Sequence, residues 1–535
     1  MSYFEVQSLV FNRRKVIVFY NENYNGNLKS VFDSLVVEYP DWNFFWFVDG
    51  LQSVSNFPKS INVVVRGQQK ADYVLENCDM LFEDKFHMTY PSKLSRSTPI
   101  INLWHGVGLK NVELNSPING ILSERIMKRY IHSSYVYRQQ TYFVSTSTYM
   151  TEHFQKSMIL DYNKFIEVGM PRLDLANRKI IKLSNYDTIL WAPTFRDTGD
   201  FETILPLNKI KPLIETLSSK NLFMIFSPHP NMRNDSKFKQ FLKLTKNSGN
   251  IKVMKENEDI YDYLSDIKYS VIDYSSIFYD LVYLGFDKFI RYIPDYEKYS
   301  QTQIEFQNSY FSDTYGLVVR TIDQLITVLG DVTESELVNH EQKKLILRKY
   351  FNQQTTHPTQ SIIEKISEIK KSTPYNTYGL YSFNAHDVVP SKIFELLEMN
   401  KVIILHFNRT EKRINIKNTP EFFIELGETV DDFYKRIFYI ELKKYKFDFW
   451  RHYGSNQTND DVIPRKYGIQ TGSYLSVMNQ KKRISLLQVF SPKRLGDYKD
   501  DRFFENSLSN TSKILRNLID LKITIIKWLY WRNRP

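Results

Sequence analysis

Short apolar runs that end in polar turns, each followed by a stretch of helical length, recur along most of the chain, and this alternation restricts the fold more than any other feature. "RRKVIVFY" (13–20), "WNFFWFVDG" (42–50), "INVVVRG" (61–67), "CDMLFED" (78–84) and "PIINLWHG" (99–106) form a first series. "YDTILWAPTFRD" (186–197), "LFMIFSPHPN" (222–231), the run into "SVIDYSS" and "DKFIRYIPD" (287–295) form a second. Runs that are apolar on both faces and alternate with helices indicate βαβ units and parallel sheets. The expectation is α/β: a Rossmann-like domain over 1–165 and a second doubly wound domain over 166–370, closed by a helix in 333–351. Ligands of such sheets bind beyond the carboxyl ends of the strands, so two domains in series frame a cleft.

Past residue 371 the pattern weakens. "NKVIILHFN" (400–408) reads as a strand, but 371–510 takes no fold from its sequence, and His386, His406 and His452 show no constellation and read as structural. Residues 511–535 read as a basic amphipathic helix. Ile514, Leu518, Ile525 and Trp528 share its apolar side, Lys513, Arg516 and Lys527 its polar side, and Trp531, Arg532 and Arg534 follow. Such a segment suits a membrane interface, with docking on the protein's own core as the alternative.

Several function classes are unsupported. The single cysteine, Cys78, permits no internal disulfide and no cysteine zinc site. There is no Gly-x-x-x-x-Gly-Lys-Ser/Thr loop, no Gly-x-Gly-x-x-Gly and no Asp-x-Asp. No secretory signal or run of transmembrane length is read. The net charge of +11 favours anionic partners without choosing among them.

Chemistry-bearing residues cluster at the strand exits. His105 follows a buried strand, and Gly106 and Gly108 permit close backbone approach to a ligand. His229 is flanked by Pro228 and Pro230, which fix its backbone. Ser275 or Ser276 caps a helix after Asp273, where N–H groups and hydroxyls suit an anion. Arg172 and Arg196 lie at the same cleft edge and suit phosphate, with ion pairs to Asp174 or Asp197 as the alternative.

Together, "NLWHGVGLKNV", "GMPRLD", "ILWAPTFRD", "FSPHPN" and "DIYDYLSDIKYSVIDYSSIFYDLVYLGF", in this order, resemble the CDP-glycerol glycerophosphotransferase family of teichoic acid and related capsule polymerases. The resemblance covers roughly 60–340. It implies a GT-B-like arrangement that moves an alditol phosphate from CDP-glycerol or another CDP-alditol to a hydroxyl of a lipid-linked or oligomeric polymer, releasing CMP. It implies His105 as base for that hydroxyl, His229 at the donor pyrophosphate, Ser275 and Ser276 on donor phosphate, and Arg196 and Asp273 on the donor side. No cofactor is firmly implied, and a divalent metal requirement stays open. Expected partners are the donor, the polymer and an anionic membrane surface, not nucleic acid, with the enzyme peripheral on the inner face of a bacterial membrane. The chain departs from the family pattern at Val107 and Ile272, where threonine is usual. A nucleotide-sugar glycosyltransferase of GT-B type and a non-catalytic basic scaffold stand as alternatives.

Overall fold

The computed structural model describes residues 3, 5–6 and 15–472, except 88–90, 117–122, 133–139, 159, 175–180, 184, 197–200, 265–266, 303–309, 332–333, 352–356, 372–377, 387–400, 416–418 and 443–446. The amphipathic segment 511–535 therefore lies outside the described residues.

The first sheet has seven parallel strands, β1 (Val16–Tyr20), β2 (Asn43–Val48), β3 (Val63–Val65), β4 (Met80–Glu83), β5 (Pro99–Asn102), β6 (Gln140–Ser145) and β7 (Phe165–Glu167), in the order β3-β2-β1-β4-β5-β6-β7. Every residue of β1, β2, β4 and β5 is buried, as expected of a sheet covered on both faces. The crossover helix Gly26–Glu38 buries Leu28, Val31, Phe32 and Leu35 on one stripe against it. Each such side chain contributes about 2 kcal/mol on leaving water. Phe19 stacks on Trp46 and Phe82 beneath that stripe.

The second sheet has six parallel strands, β8 (Asp187–Ala192), β9 (Leu222–Phe226), β10 (Ile251–Val253), β11 (Ile267–Ile272), β12 (Phe289–Tyr292) and β13 (Leu317–Val319), in the order β10-β9-β8-β11-β12-β13. The closing helix runs His340–Tyr350. The helix Pro358–Ser367 then returns to the first domain, where Ile362, Ile363 and Ile366 join the core around Phe19 and Leu28.

The region that yielded no fold from sequence contains a third parallel sheet. Its strands are β14 (Tyr378–Asn384), β15 (Lys401–His406), β16 (Glu421–Phe423), β17 (Phe447–Tyr453) and β18 (Gln470–Gly472), ordered β16-β15-β14-β17-β18. It docks on the helix Ser123–His132, an excursion between β5 and β6. Ile126, Met127, Tyr130 and Ile131 enter one core with Leu380, Leu405, Phe433 and Trp450. The Tyr439 hydroxyl donates to the Ser123 carbonyl at 2.8 Å.

The histidines of this third domain are structural in their contacts. His452 is fully buried, with Nδ1 2.7 Å from Ser382 Oγ and Nε2 3.0 Å from Asp460 Oδ1. Asp460 also accepts from Asn384 Nδ2 and the Asn456 amide. Burial raises its carboxyl, but these donors outweigh burial and hold it below the usual carboxylate range. His406 is fully buried between Glu411 and Glu421, and His386 sits 2.7 Å from Glu411. Ser382, His452 and Asp460 lie in sequence like a hydrolase triad, yet none is exposed to a substrate. Asp460→Ala strands the buried donors of His452 and Asn384 and should lower stability by about 3 kcal/mol or more in equilibrium urea unfolding. An unchanged midpoint would show that this chain of bonds does not hold the third sheet.

Candidate functional site

The cleft floor on the first domain is built by a strained exit from β5. Trp104 has φ +50°, a left-handed conformation that costs a non-glycine residue about 1 kcal/mol. Two asparagines hold it there. Asn102 Oδ1 accepts from the Trp104 amide at 2.9 Å, and Asn27 Nδ2 donates to the Trp104 carbonyl at 2.8 Å. The turn delivers His105, whose Nδ1 lies 2.8 Å from the carbonyl of Asp84 at the exit of β4. A carbonyl only accepts, so Nδ1 carries the proton and Nε2 keeps its lone pair. Desolvation by the surrounding protein is the main force lowering the His105 pKa, to about 4. Arg172 and Lys85 add to it, and the Asp84 carbonyl opposes it. The residue keeps exposed surface, and His105 is neutral at pH 7.

His229 stands on the second domain after β9 and is the N-cap of the short turn Pro230–Asn234. Its Nδ1 accepts from the Asn231 amide at 3.3 Å, so its proton resides on Nε2. The ring stacks near Phe195. Burial, then Lys110 and His105, lower its pKa to about 4, against the pull of Asp273. The influence of His105 and Lys110 on His229 places all three within electrostatic reach across the cleft. The pair is complementary, with one ring that can take a proton and one that can donate.

The two domains touch at this point. A Cβ on Gly106 would lie 2.7 Å from Ser276 Oγ and 3.6 Å from Arg172 Nη2, so any larger residue would have to turn the Ser276 hydroxyl aside. Ser275 and Ser276 are half-buried in the turn before the helix Ile277–Tyr283. Ser276 occupies the N-cap position, but its side chain makes no capping hydrogen bond.

The arginines have partners that sequence did not name. Arg172 pairs with Asp280 at 2.5 Å rather than with Asp174, and its Nη1 donates to the His105 carbonyl at 2.9 Å. Its amide donates to Asn27 Oδ1 at 3.0 Å, and Tyr261 also bonds Asp280. Arg196 is buried against Asp273 at 2.9 Å and Asp295 at 2.7 Å, with the Tyr274 and Tyr299 rings beside it. Asp273 further accepts from the Thr194 amide and hydroxyl. Asp197 lies outside the described residues. The structure thus brings His105, His229, Ser275 and Ser276 to one cleft and sets Arg196 and Asp273 beneath it. Sequence reasoning passed over Asn27, Asp84, Lys110 and Asp280. Lys110, inside the Trp-His-Gly motif, and Asp280, inside the serine-turn motif, carried a visible signal; Lys110 bonds the Tyr299 hydroxyl at 2.8 Å.

Comparison with known proteins identifies the family and the fold. The model of the CDP-glycerol:poly(glycerophosphate) glycerophosphotransferase family matches residues 2–368. A teichoic acid poly(ribitol-phosphate) polymerase of Bacillus spizizenii is 23% identical over 64% of this chain and 54% of its own length. The teichoic acid ribitol-phosphate polymerase TarL of Staphylococcus aureus is 28% identical over 55% of this chain and 52% of its own. The chain spans about half the length of these curated relatives. The solved structure of the wall teichoic acid polymerase TagF superposes with a TM-score of 0.54 at 19% identity, covering 67% of this chain and 90% of that one, which shows the shared GT-B-like fold. With the family model covering both cleft-forming sheets and every motif at their exits, this chain belongs to the CDP-glycerol:poly(glycerophosphate) glycerophosphotransferase family.

Proposed function

We propose that the chain transfers an alditol phosphate from a CDP-alditol to a hydroxyl of a growing teichoic-acid-type or capsule-type polymer, releasing CMP. The observation that carries this reading is the complementary tautomer pair, His105 with a free Nε2 and His229 with a protonated Nε2, on facing domains. In the step, His105 Nε2 accepts the proton of the polymer hydroxyl. The freed oxygen bonds the alditol-bearing phosphorus, and the bond from that phosphorus to the bridging oxygen breaks. The bridging oxygen leaves with CMP, and His229 Nε2–H donates a hydrogen bond to the charge that gathers there. Ser275 and Ser276 hold donor phosphate with their hydroxyls. Arg196 and Asp273 serve donor binding by bracing that turn, because their own polar atoms are already engaged.

The acceptor is read as lipid-linked, and the enzyme as peripheral on the inner membrane face. Segment 511–535 is the contact with anionic lipid, and no helix among the described residues is long and apolar enough to cross a membrane.

Purified protein given CDP-glycerol or CDP-ribitol with an oligomeric acceptor should release CMP, and His105→Ala should lower kcat about a hundredfold or more. Release of a nucleoside diphosphate from a nucleotide sugar instead would replace this reading with glycosyl transfer. The pH profile of kcat/KM offers a second check. Both catalytic histidines bind protons more weakly in the folded protein than at their ordinary value of 6.5. The neutral pair therefore persists as pH falls through 6.5 and is lost only on approach to about 4. An acid limb centred at or above 6.5 would show that at least one of the two rings is not held neutral.

A further inference from the structure

Three arginines in and around the cleft are more than nine-tenths buried: Arg172, Arg196 and Arg291. Two of them meet carboxylates, Arg172 through Asp280 and Arg196 through Asp273 and Asp295. Arg291, on β12, is the most deeply buried, at 1% exposure, and among the described residues it makes no ion pair. Its Nε donates to the Tyr310 hydroxyl at 2.7 Å, and its Nη2 donates to the main-chain carbonyl of Asp273. Both acceptors are neutral. Nη1 is buried and has no hydrogen-bond partner. The Phe278 and Tyr310 rings, 4.4 and 4.9 Å from the guanidinium carbon, supply only partial compensation. The Asp273 carboxylate does not turn toward Arg291; it is taken up by Thr194 and Arg196.

A buried guanidinium without a counter-charge is unfavourable, and its field is weakly screened. Its position says where that field acts. Arg291 is registered beside Ile272, and it grips the carbonyl that opens the turn Asp273–Ser276. That turn carries Ser275 and Ser276, of which Ser276 meets Gly106.

We infer that Arg291 is an electrostatic positioning residue for the donor's pyrophosphate, a buried cation whose counter-charge arrives with the CDP-alditol. It acts through the turn and without touching the ligand, since its open nitrogen is sealed from the cleft. The inference rests on the donor reading above and adds a residue that lies outside the recognisable motifs.

The test is calorimetric titration of the full chain with CDP-glycerol, CMP and cytidine, for wild type, Arg291→Met, Arg291→Gln and Arg291→Lys. Removing the charge leaves the Tyr310 hydroxyl still donating to the Asp273 carbonyl at 2.9 Å, so no acceptor is orphaned. The Met and Gln variants should melt at or above the wild-type temperature without ligand. Their Kd for CDP-glycerol should rise about tenfold or more, and for cytidine should not change. Lys should recover most of the loss. Wild-type affinity in Met and Gln, or a lower melting temperature with unchanged affinity, would make Arg291 an ordinary structural arginine and leave the donor reading intact. A wild type that binds neither CDP-glycerol nor CMP would remove the donor reading and this inference with it.

Discussion

The site depends on one contact chain, Asn27 to Arg172 to Asp280. Asn27 begins the first crossover helix, Arg172 sits where the chain leaves β7 for the second domain, and Asp280 lies on the helix below the serine turn. The same Asn27 amide group holds the Trp104 carbonyl, and the same Arg172 guanidinium holds the His105 carbonyl. One buried charge pair therefore fixes the His105 turn and joins the two sheets. Removing either partner would leave a buried charge unpaired, which costs far more than the pair contributes. Gly106 meets Ser276 beside this junction because the chain around it has already been drawn together.

Much of this architecture was legible in the sequence. Strands such as Val16–Tyr20 and Asn43–Val48 are buried on both faces and so read as unbroken apolar runs. His105 and His229 stood out because glycines and prolines mark the backbone around them. The third sheet was harder. Its central strands are polar in places: Ser382 and His452 bond each other across strands, and Asn384 donates to Asp460 in the turn that follows. Pairing of that kind leaves no periodic trace. Partners of Arg172 and Arg196 were illegible for the same reason: Asp280 and Asp295 are about a hundred residues away along the chain.

Arginine at a cleft edge suggested a phosphate grip, and the structure gives a more exact account. Arg196 is saturated by two carboxylates and two rings, so its contribution is the shape of the turn that Asp273 begins. The serines remain the groups of that turn with hydroxyls facing the cleft contact, and the histidines remain the groups with proton-transfer capacity. Burial separates the two groups: the buried members set the geometry of the turn, and the histidines and serines keep surface open to the cleft.

The third sheet rests on the helix Ser123–His132, which belongs to the first domain. Any hinge motion that parts the two cleft sheets would therefore carry the third sheet along with His105. On the function proposed above, an acceptor lying across the first and third domains would keep its register with the His105 imidazole. How firmly that acceptor stays in place while the cleft opens would then follow from where one inserted helix docks.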